Sequence, residues 1–472
     1  MAQKPNRRTF VKASAAAGAG FWAAGGVAPK RTYASSLDKV QFACIGIGGK
    51  GSSDSKAASD NGQVVAVCDI DGKVLEKGKE AFPDATQYHD YREMLDAMGD
   101  KIDGVTISTP DHTHAVAGIH AMQMGKHCWC QKPLTHSIEE ARVMGELARE
   151  KNLVTQMGNQ GTSFTILRRS AALIQQGCIG EVKHVHVWTN RPVWPQGIDI
   201  QLAEPDEVPG HIHWDDWIGP AKSRPYSPEL HPFKWRGLWA FGTGALGDMA
   251  CHTLNMSFMA LNLRNPTSVS AVTSGHDKVM YPKRSKIEFE FPELDGRPAL
   301  GMTWYDGKQL PPAALLKDLP KQRDGDDREV VYNSGALIVG TEGMFFSPGD
   351  YGSDEQGNTG ILRDDGSFEK ERRIDLPSDA YKTSPGHFEE FAQGIAANDP
   401  TIPVSSFPDY AGPLTETILL GNLAVWAAAE QPIQWDAQNM KATNIPAGAE
   451  DAVEEMVRHT YHNDYSIKPM GN

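Results

Sequence analysis

Three side chains capable of acid–base chemistry stand where neighbouring elements could bring them to one substrate. Lys132 lies in the segment 130–134 (CQKPL), directly after an apolar run. Asp248 and His252 are four positions apart in a helical stretch, which puts both on one face of a helix. A lysine at the end of a buried strand is costly to desolvate unless it is used. The three residues are therefore the candidate catalytic set.

A glycine-rich turn follows the first apolar run. Residues 40–45 predict a strand, residues 46–51 (GIGGKG) place Gly-x-Gly-x-x-Gly after it, and a helical stretch comes next. In that context the glycines allow a tight turn, admit the backbone to a pyrophosphate and let helix and strand pack. Asp69 ends the second apolar run, where a carboxylate accepts hydrogen bonds from both ribose hydroxyls and disfavours a 2′-phosphate. The pattern predicts a dinucleotide site that prefers NAD(H) to NADP(H).

Further cofactor contacts are predicted where later strands of the same sheet end, because open α/β sheets bind ligands at the carboxyl ends of their strands. A strand over 104–108 ends at Ser108 and leads into a helix that carries His112 and His114; for His112 an ordinary helix-start role is favoured. The predicted cofactor-binding residues are Gly46, Gly48, Gly49, Lys50, Gly51, Asp69, Ser108, Thr109, Pro110, His114, Gln131 and Lys132.

These residues must be positioned by two domains, which a length of 472 residues allows. Strands and helices alternate over 37–158, which predicts an α/β fold: an N-terminal NAD(P)-binding Rossmann domain with a doubly wound sheet. Residues 159–440 are rich in alternating strands and predict a C-terminal α+β domain for substrate and oligomerisation, built on a largely antiparallel open sheet. Residues 441–472 are predicted to form a C-terminal tail.

The first 36 residues are predicted to be a targeting signal. Residues 6–12 (NRRTFVK) precede a weakly apolar, Ala- and Gly-rich stretch, which resembles a twin-arginine export signal. The twin-arginine route carries folded proteins, so we expect a periplasmic or extracytoplasmic protein exported with its cofactor already bound.

Composition excludes several other classes. The net charge of −14 and the lack of a Lys/Arg-rich stripe argue against nucleic acid. No later apolar run is long enough to span a bilayer, so no membrane span is expected in the mature chain. The six cysteines lack the spacing of a zinc site, so we assign no metal.

Taken together, the glycine turn, the Lys132-Pro133 pair and the Asp-x-x-x-His helix resemble the glucose-fructose oxidoreductase / inositol dehydrogenase / MocA family, from residue 40 to about residue 429. The resemblance implies that Lys132 hydrogen-bonds the reacting oxygen, Asp248 orients substrate or histidine, and His252 takes the hydroxyl proton. The chain departs from the family's Glu-Lys-Pro at Gln131, which removes a charge beside the lysine. His252 as a satisfied core histidine, and Asp248 as a helix-surface carboxylate, remain alternatives.

The region 188–239 contains six of the eleven tryptophans, interleaved with polar and basic residues. Flat rings beside hydrogen-bonding groups suit a sugar or polyol, although such tryptophans are as often core or subunit-interface residues. Arg191, Trp235 and Arg236 are the predicted substrate-binding residues.

The resulting prediction is an NAD-dependent oxidoreductase acting on a sugar or polyol, with NAD(H) tightly bound because free NAD is scarce outside the cytoplasm. The family resemblance implies two alternatives, an NAD-dependent redox-neutral glycoside hydrolase and a non-catalytic sugar-sensing protein. Fold-level analogy further predicts a homodimer or homotetramer.

Overall fold

The computed structural model describes residues 39–200, 204–294, 296–352, 357–428, 431–445 and 447–468. The predicted export signal lies outside these residues. None of the helices within them is both long enough and apolar enough to cross a bilayer.

The N-terminal half is a parallel six-stranded sheet in the order β3-β2-β1-β4-β5-β6, as the alternation of strands and helices predicts. The central strands β1, β4 and β5 are almost wholly buried, because helices cover both faces of a doubly wound sheet, whereas the edge strand β3 is exposed or half-buried. The strands are β1 (Gln41–Ile45), β2 (Gln63–Cys68), β3 (Thr86–Tyr88), β4 (Gly104–Ile107), β5 (His127–Cys130) and β6 (Thr155–Met157). The helices are α1 (Lys50–Asn61), α2 (Gly72–Ala81), α3 (Tyr91–Met98), α4 (Asp111–Gln123), α5 (Ile138–Glu150) and α6 (Thr165–Gln175).

The second half is built on a ten-stranded sheet in the order β16-β15-β14-β13-β7-β10-β9-β8-β17-β18, in which only β7 and β10 pair in parallel. The predicted largely antiparallel sheet is thus confirmed. Its strands are β7 (Val182–Trp188), β8 (Ser268–Thr273), β9 (Ser285–Phe291), β10 (Leu300–Tyr305), β13 (Gly335–Gly340), β14 (Gly343–Pro348), β15 (Gly360–Leu362), β16 (Phe368–Lys370), β17 (Ile433–Asp436) and β18 (Lys441–Ala442); β11 (Gln322–Arg323) and β12 (Glu329–Val330) form a separate pair.

Helices of the second half join this sheet to the first. They are α7 (Trp214–Ile218), α8 (Gly244–Thr253), α9 (Asn255–Leu261), α10 (Ala313–Leu316), α11 (His387–Ala397), α12 (Gly412–Ala427) and α13 (Glu450–Val457). The apolar α12 contacts α5, α8, β8 and β9, and Arg142 on α5 forms a bidentate pair with Glu416 on α12 at 2.6–2.8 Å. This packing fixes α8, the helix with Asp248 and His252, against the Rossmann domain. The segment predicted as a tail contributes β18 and α13.

Candidate active site

The glycine loop between β1 and α1 has the conformation that its glycines permit. Gly46 and Gly49 have φ of +74° and +52°, a region that disfavours side chains. A Cβ on Gly51 would lie 1.9 Å from the carbonyl oxygen of Gly46, so the turn closes only with glycine there. No side chain caps the N-terminus of α1 within the part of the chain described, and a Cβ on Gly49 would meet no atom within 4 Å. A phosphate can therefore approach the helix N-terminus.

Asp69, the predicted ribose contact, is bound to the glycine loop. Its Oδ2 accepts hydrogen bonds from the backbone N–H groups of Ile47 at 2.9 Å and Gly48 at 3.3 Å, and its Oδ1 accepts one from Asp71 at 3.0 Å. Burial raises the pKa of Asp69, and these backbone donors oppose the rise. These hydrogen bonds fix the position of the carboxylate relative to the glycine loop.

Lys50 and Ser108 share a partner that sequence reasoning missed. Lys50 Nζ lies 2.6 Å from Asp54 Oδ1, and Ser108 Oγ donates to Asp54 Oδ2 at 2.8 Å. Asp54 is buried, at 3% exposure, and it also accepts a hydrogen bond from Gln131 Nε2 at 2.8 Å. The four residues connect the glycine-loop helix with the ends of β4 and β5.

The residues after β4 face the loop in different ways. Thr109 lies close to the glycine loop, since its Cγ2 would be 3.2 Å from a Cβ placed on Gly46. Pro110 is the N-cap residue of α4. His114 turns both ring nitrogens to backbone carbonyls, those of Pro133 at 2.8 Å and Thr109 at 2.9 Å. Its polar atoms thus hold the strand-end segments together. His112 is buried with Nε2 3.0 Å from the Trp217 carbonyl.

Lys132 and Asp248 meet across the two domains. Lys132 Nζ donates to both the carboxylate Oδ1 and the main-chain carbonyl of Asp248, each at 2.8 Å, and the side chains are 18% and 17% exposed. Burial opposes the charge of Lys132, but Asp248 outweighs it and the pKa of Lys132 is raised. Burial likewise opposes the charge of Asp248, but the Lys132 ammonium and the Arg236 guanidinium lower its pKa. Both groups are held in their charged forms.

His252 lies one helical turn beyond Asp248 and is kept neutral. It is 5% exposed, its Nδ1 has no partner among the described residues, and its ring meets the Tyr351 ring edge-on at 4.7 Å. Burial, then the Lys132 charge, lower the pKa of His252 well below the ordinary histidine value. An unpaired nitrogen on a neutral imidazole can accept a proton.

The predicted substrate residues take different positions. The Arg191 guanidinium contacts Asn190 Oδ1 and lies 3.6 Å from Asp350 Oδ2. Arg236 Nε lies 3.7 Å from Asp248 Oδ1, and its guanidinium stacks 4.4 Å from the Trp235 ring centroid. Trp235 itself is buried and donates its indole N–H to the Pro232 carbonyl. Trp235 therefore contacts the Lys132–Asp248 region indirectly, through the Arg236 guanidinium that stacks on its ring.

Two more residues of the site were missed, because the loop after β14 carries no motif. This loop brings Asp350 to Arg191 and Tyr351 to His252, and one carboxylate oxygen of Asp350 is buried without a partner in the described chain. No cluster of three or more His, Cys, Asp or Glu side chains within the described ranges is placed to hold a metal ion.

This combination defines a class: a Rossmann domain of the NAD-binding type whose strand edge meets charged residues from a second, mostly antiparallel domain. Residues 40–159 match the family model "Oxidoreductase family, NAD-binding Rossmann fold", and residues 180–292 match "Oxidoreductase family, C-terminal alpha/beta domain". The chain belongs to the Gfo/Idh/MocA family of oxidoreductases, as the sequence resemblance predicted.

Individual relatives cover the chain only in part. The levoglucosan dehydrogenase of Pseudarthrobacter phenanthrenivorans is 28% identical over 169 residues, which are 36% of this chain and 35% of that protein. A glycosyl hydrolase family 109 protein of Shewanella pealeana is 28% identical over 210 residues, covering 38% of this chain and 45% of that protein. The matches thus span less than half of these relatives.

One solved structure shows the same fold over most of its length. The WlbA dehydrogenase of Bordetella pertussis, in complex with NADH and UDP-GlcNAcA, has a TM-score of 0.55 at 15% identity and covers 84% of this chain and 99% of that one.

Proposed function

We propose that the protein transfers a hydride between NAD(H) and a hydroxyl-bearing carbon of a sugar or polyol. The observation that carries the proposal is the 2.8 Å contact between Lys132 Nζ and Asp248 Oδ1, because it joins the strand edge of the NAD-binding domain to the helix with His252. NAD(H), held by the glycine loop and Asp69, would supply the hydride acceptor or donor at this edge. The name of the levoglucosan dehydrogenase relative supports the sugar class.

The chain's own residues divide the proton chemistry. The Lys132 ammonium has three N–H donors, and two point to Asp248, so the third can donate to the substrate oxygen. His252 is neutral and takes the hydroxyl proton as the carbon is oxidised, or returns it in the reverse direction. Asp248 keeps Lys132 charged and oriented.

The substrate side favours hydroxyl groups. Arg191 and Arg236 offer donors, while Asp350 has a carboxylate oxygen without a partner among the described residues. Hydroxyls both donate and accept hydrogen bonds, so a mixed set of this kind suits neighbouring hydroxyls on one molecule. Tyr351 offers an aromatic ring beside His252, and the face of such a ring suits the C–H groups of a sugar.

A redox-neutral glycoside hydrolase is the second candidate, favoured by the match to glycosyl hydrolase family 109 proteins. Such an enzyme would use the same hydride and proton transfers but return the hydride before product leaves. An aryl glycoside distinguishes the two: release of the aryl group without net change in NADH indicates the hydrolase, and net NADH formation or consumption indicates the oxidoreductase.

The deciding experiment uses the full chain, a panel of sugars and polyols, and the absorbance of reduced nicotinamide. His252→Ala should slow hydride transfer at least about a hundredfold, because general acid–base groups contribute about that much, while the Kd for NADH stays within about twofold. His462→Ala is the control, since its hydrogen bond to the Pro220 carbonyl comes from the backbone N–H. An unchanged rate in His252→Ala would remove this residue from the mechanism. If the wild type binds NADH but no substrate in the panel alters the nicotinamide, the function is wrong.

We further propose that the protein is exported by the twin-arginine pathway with NAD(H) captive. The support is the sequence around Arg7 and Arg8, together with the scarcity of NAD outside the cytoplasm. Replacing both arginines by lysine should retain the protein in the cytoplasm, as cell fractionation would measure. Acid release from natively purified protein should yield stoichiometric NAD(H), and protein without nucleotide would contradict the captive cofactor.

A homodimer or homotetramer through the open face of the large sheet is proposed as well. Ile287 and Phe289 on β9 point into the core with α12, so Lys286 and Glu288 alternate to the opposite face. On the same face of β8, Val272 is 73% exposed. Val272→Arg should lower the mass measured by light scattering if this face is the interface, and an unchanged mass would exclude it.

A further inference from the structure

Gln131 is held in a single orientation by a buried hydrogen-bond chain. Its Nε2 donates to Asp54 Oδ2 at 2.8 Å, and its Oε1 accepts from the backbone N–H of Lys132 at 3.3 Å. Reversing the amide would turn its oxygen to the carboxylate, so the partners fix which end is which. Gly158 lies directly against the amide, since a Cβ there would be 2.4 Å from Gln131 Nε2. The side chain therefore has little freedom to move.

Asp54 is the centre of this chain. It is 3% exposed and accepts hydrogen bonds from Lys50 at 2.6 Å, Ser108 at 2.8 Å and Gln131 at 2.8 Å. These donors come from α1, the end of β4 and the segment after β5, three elements around the dinucleotide site. A buried carboxylate with three donors is a satisfied group and a rigid junction.

We propose that Asp54 is a positioning residue: it anchors Gln131 and thereby sets Lys132 relative to the glycine loop. In the family's Glu-Lys-Pro segment the residue before the lysine is negatively charged. Here residue 131 is a neutral glutamine, and Asp54 carries a negative charge within hydrogen-bond distance of it. This explains the glutamine, because a glutamate there would put two carboxylates about 2.8 Å apart in a buried site. The inference rests on the proposed function for the role of Lys132.

The test is a charge exchange between residues 54 and 131, read by NADH fluorescence titration of protein from which bound nucleotide has first been removed. Gln131→Glu should weaken NADH binding at least tenfold at neutral pH, because the two carboxylates repel and the segment before Lys132 must move. Asp54→Asn should weaken it less, since an amide oxygen can still accept from Gln131. The double variant Asp54→Asn/Gln131→Glu restores one carboxylate and one amide in the reverse order, and should return the Kd to within about threefold of the wild type.

Dependence on pH provides a readout that a merely structural defect would not show. In Gln131→Glu the carboxylate pair can share a proton at low pH, so NADH affinity should recover as the pH falls. The other titratable groups around Asp54 are Lys50 on its own helix, Cys44 and Cys130 on neighbouring strands, and His387 on α11. These groups are present in every variant, so a change in the pH dependence of the Kd for NADH can be assigned to residues 54 and 131.

Asp60→Asn is the matched control, because Asp60 forms the same type of i, i+4 pair with Lys56 on α1 but is exposed. It should leave the Kd unchanged. The inference is overturned if Gln131→Glu binds NADH like the wild type at neutral pH, or if the double variant binds no better than Gln131→Glu. Should Gln131→Glu fail to fold, a folded double variant with near-normal Kd supports the pairing and an unfolded one refutes it. A wild type that does not bind NADH would instead refute the proposed function.

Discussion

Neutralising Asp248 tests the junction between the two domains directly. Asp248→Asn keeps the shape of the side chain and one acceptor oxygen, but it removes the charge that faces Lys132 Nζ at 2.8 Å and Arg236 Nε at 3.7 Å. Both members of the Lys132–Asp248 pair are less than a fifth exposed, at 18% and 17%, so water replaces the lost interaction poorly.

The loss of stability in Asp248→Asn depends on the hydrogen bonds that Lys132 keeps in the variant. Losing one partner of a buried pair costs about 3–5 kcal/mol, but the asparagine oxygen and the main-chain carbonyl still accept from Lys132. The loss is then nearer that of a charged hydrogen bond, about 1.5–3 kcal/mol. We expect unfolding free energy to fall by about 2 kcal/mol, and kcat/KM to fall about 10- to 100-fold if the transition state loses a similar amount.

The pH dependence has a definite sign. In the wild type Asp248 raises the pKa of Lys132 against the effect of burial, so the pair stabilises the fold below the ordinary lysine pKa and is lost as pH rises through the raised value. In the variant burial dominates, the pKa of Lys132 falls, and the alkaline limb of kcat/KM moves to lower pH.

Urea denaturation and kcat/KM across the pH range measure both effects. Asp326→Asn is the control, because Asp326 pairs with Arg328 at 2.9 Å in an exposed position, where such pairs contribute little. If Asp248→Asn matches the wild type in stability and pH profile, Lys132 does not depend on this carboxylate and the argument is wrong.

Three other substitutions test separate parts of the molecule. Gly51→Ala places a Cβ 1.9 Å from the Gly46 carbonyl oxygen and should raise the Kd for NADH, measured by titration, at least about tenfold. Gly325→Ala is the control, because a Cβ there meets no atom within 4 Å, and it should leave the Kd unchanged. Asp69→Ala should raise the affinity for NADPH relative to NADH, and an unchanged ratio would contradict its ribose role. Burial raises the pKa of Asp306 to about 7. Between about pH 4 and 7 the folded state therefore keeps a proton that the unfolded state loses, so the free energy of unfolding of the wild type should decrease as the pH rises through this range. Asp306→Asn should flatten that decline in urea melts.

The Rossmann domain and its cofactor loop could be predicted because their signals are local. Continuous apolar runs specify buried parallel strands, and the glycine spacing of 46–51 specifies the turn that follows β1. Asp69 follows a strand whose end is visible in the sequence, and the structure ties its carboxylate to the loop. Lys132 and Asp248 are 116 positions apart, so each was found by its own motif while their contact had to come from the fold.

Asp54 shows why part of the site stays hidden in the sequence. It stands within a polar helix, KGSSDSKAASDN, where it looks like any other solvent-facing carboxylate. Its burial arises because Ser108 and Gln131, 54 and 77 positions away, converge on it. The one signal in the sequence was the glutamine at 131, where the family resemblance leads one to expect a glutamate.

The tryptophans of the region 188–239 illustrate the opposite case, a pattern that is visible in the sequence but is compatible with two causes. All six are at most 7% exposed, and Trp214 and Trp217 stack at 4.6 Å between ring centroids inside a separate apolar cluster. Composition could not separate a sugar-binding platform from such a core, because both require flat apolar rings beside hydrogen-bonding groups. Tyr351, 37% exposed and beside His252, has the accessible aromatic surface that the tryptophans lack. If the substrate is a sugar, its aromatic contact should therefore come from the loop after β14, with Trp235 acting through the stacked Arg236.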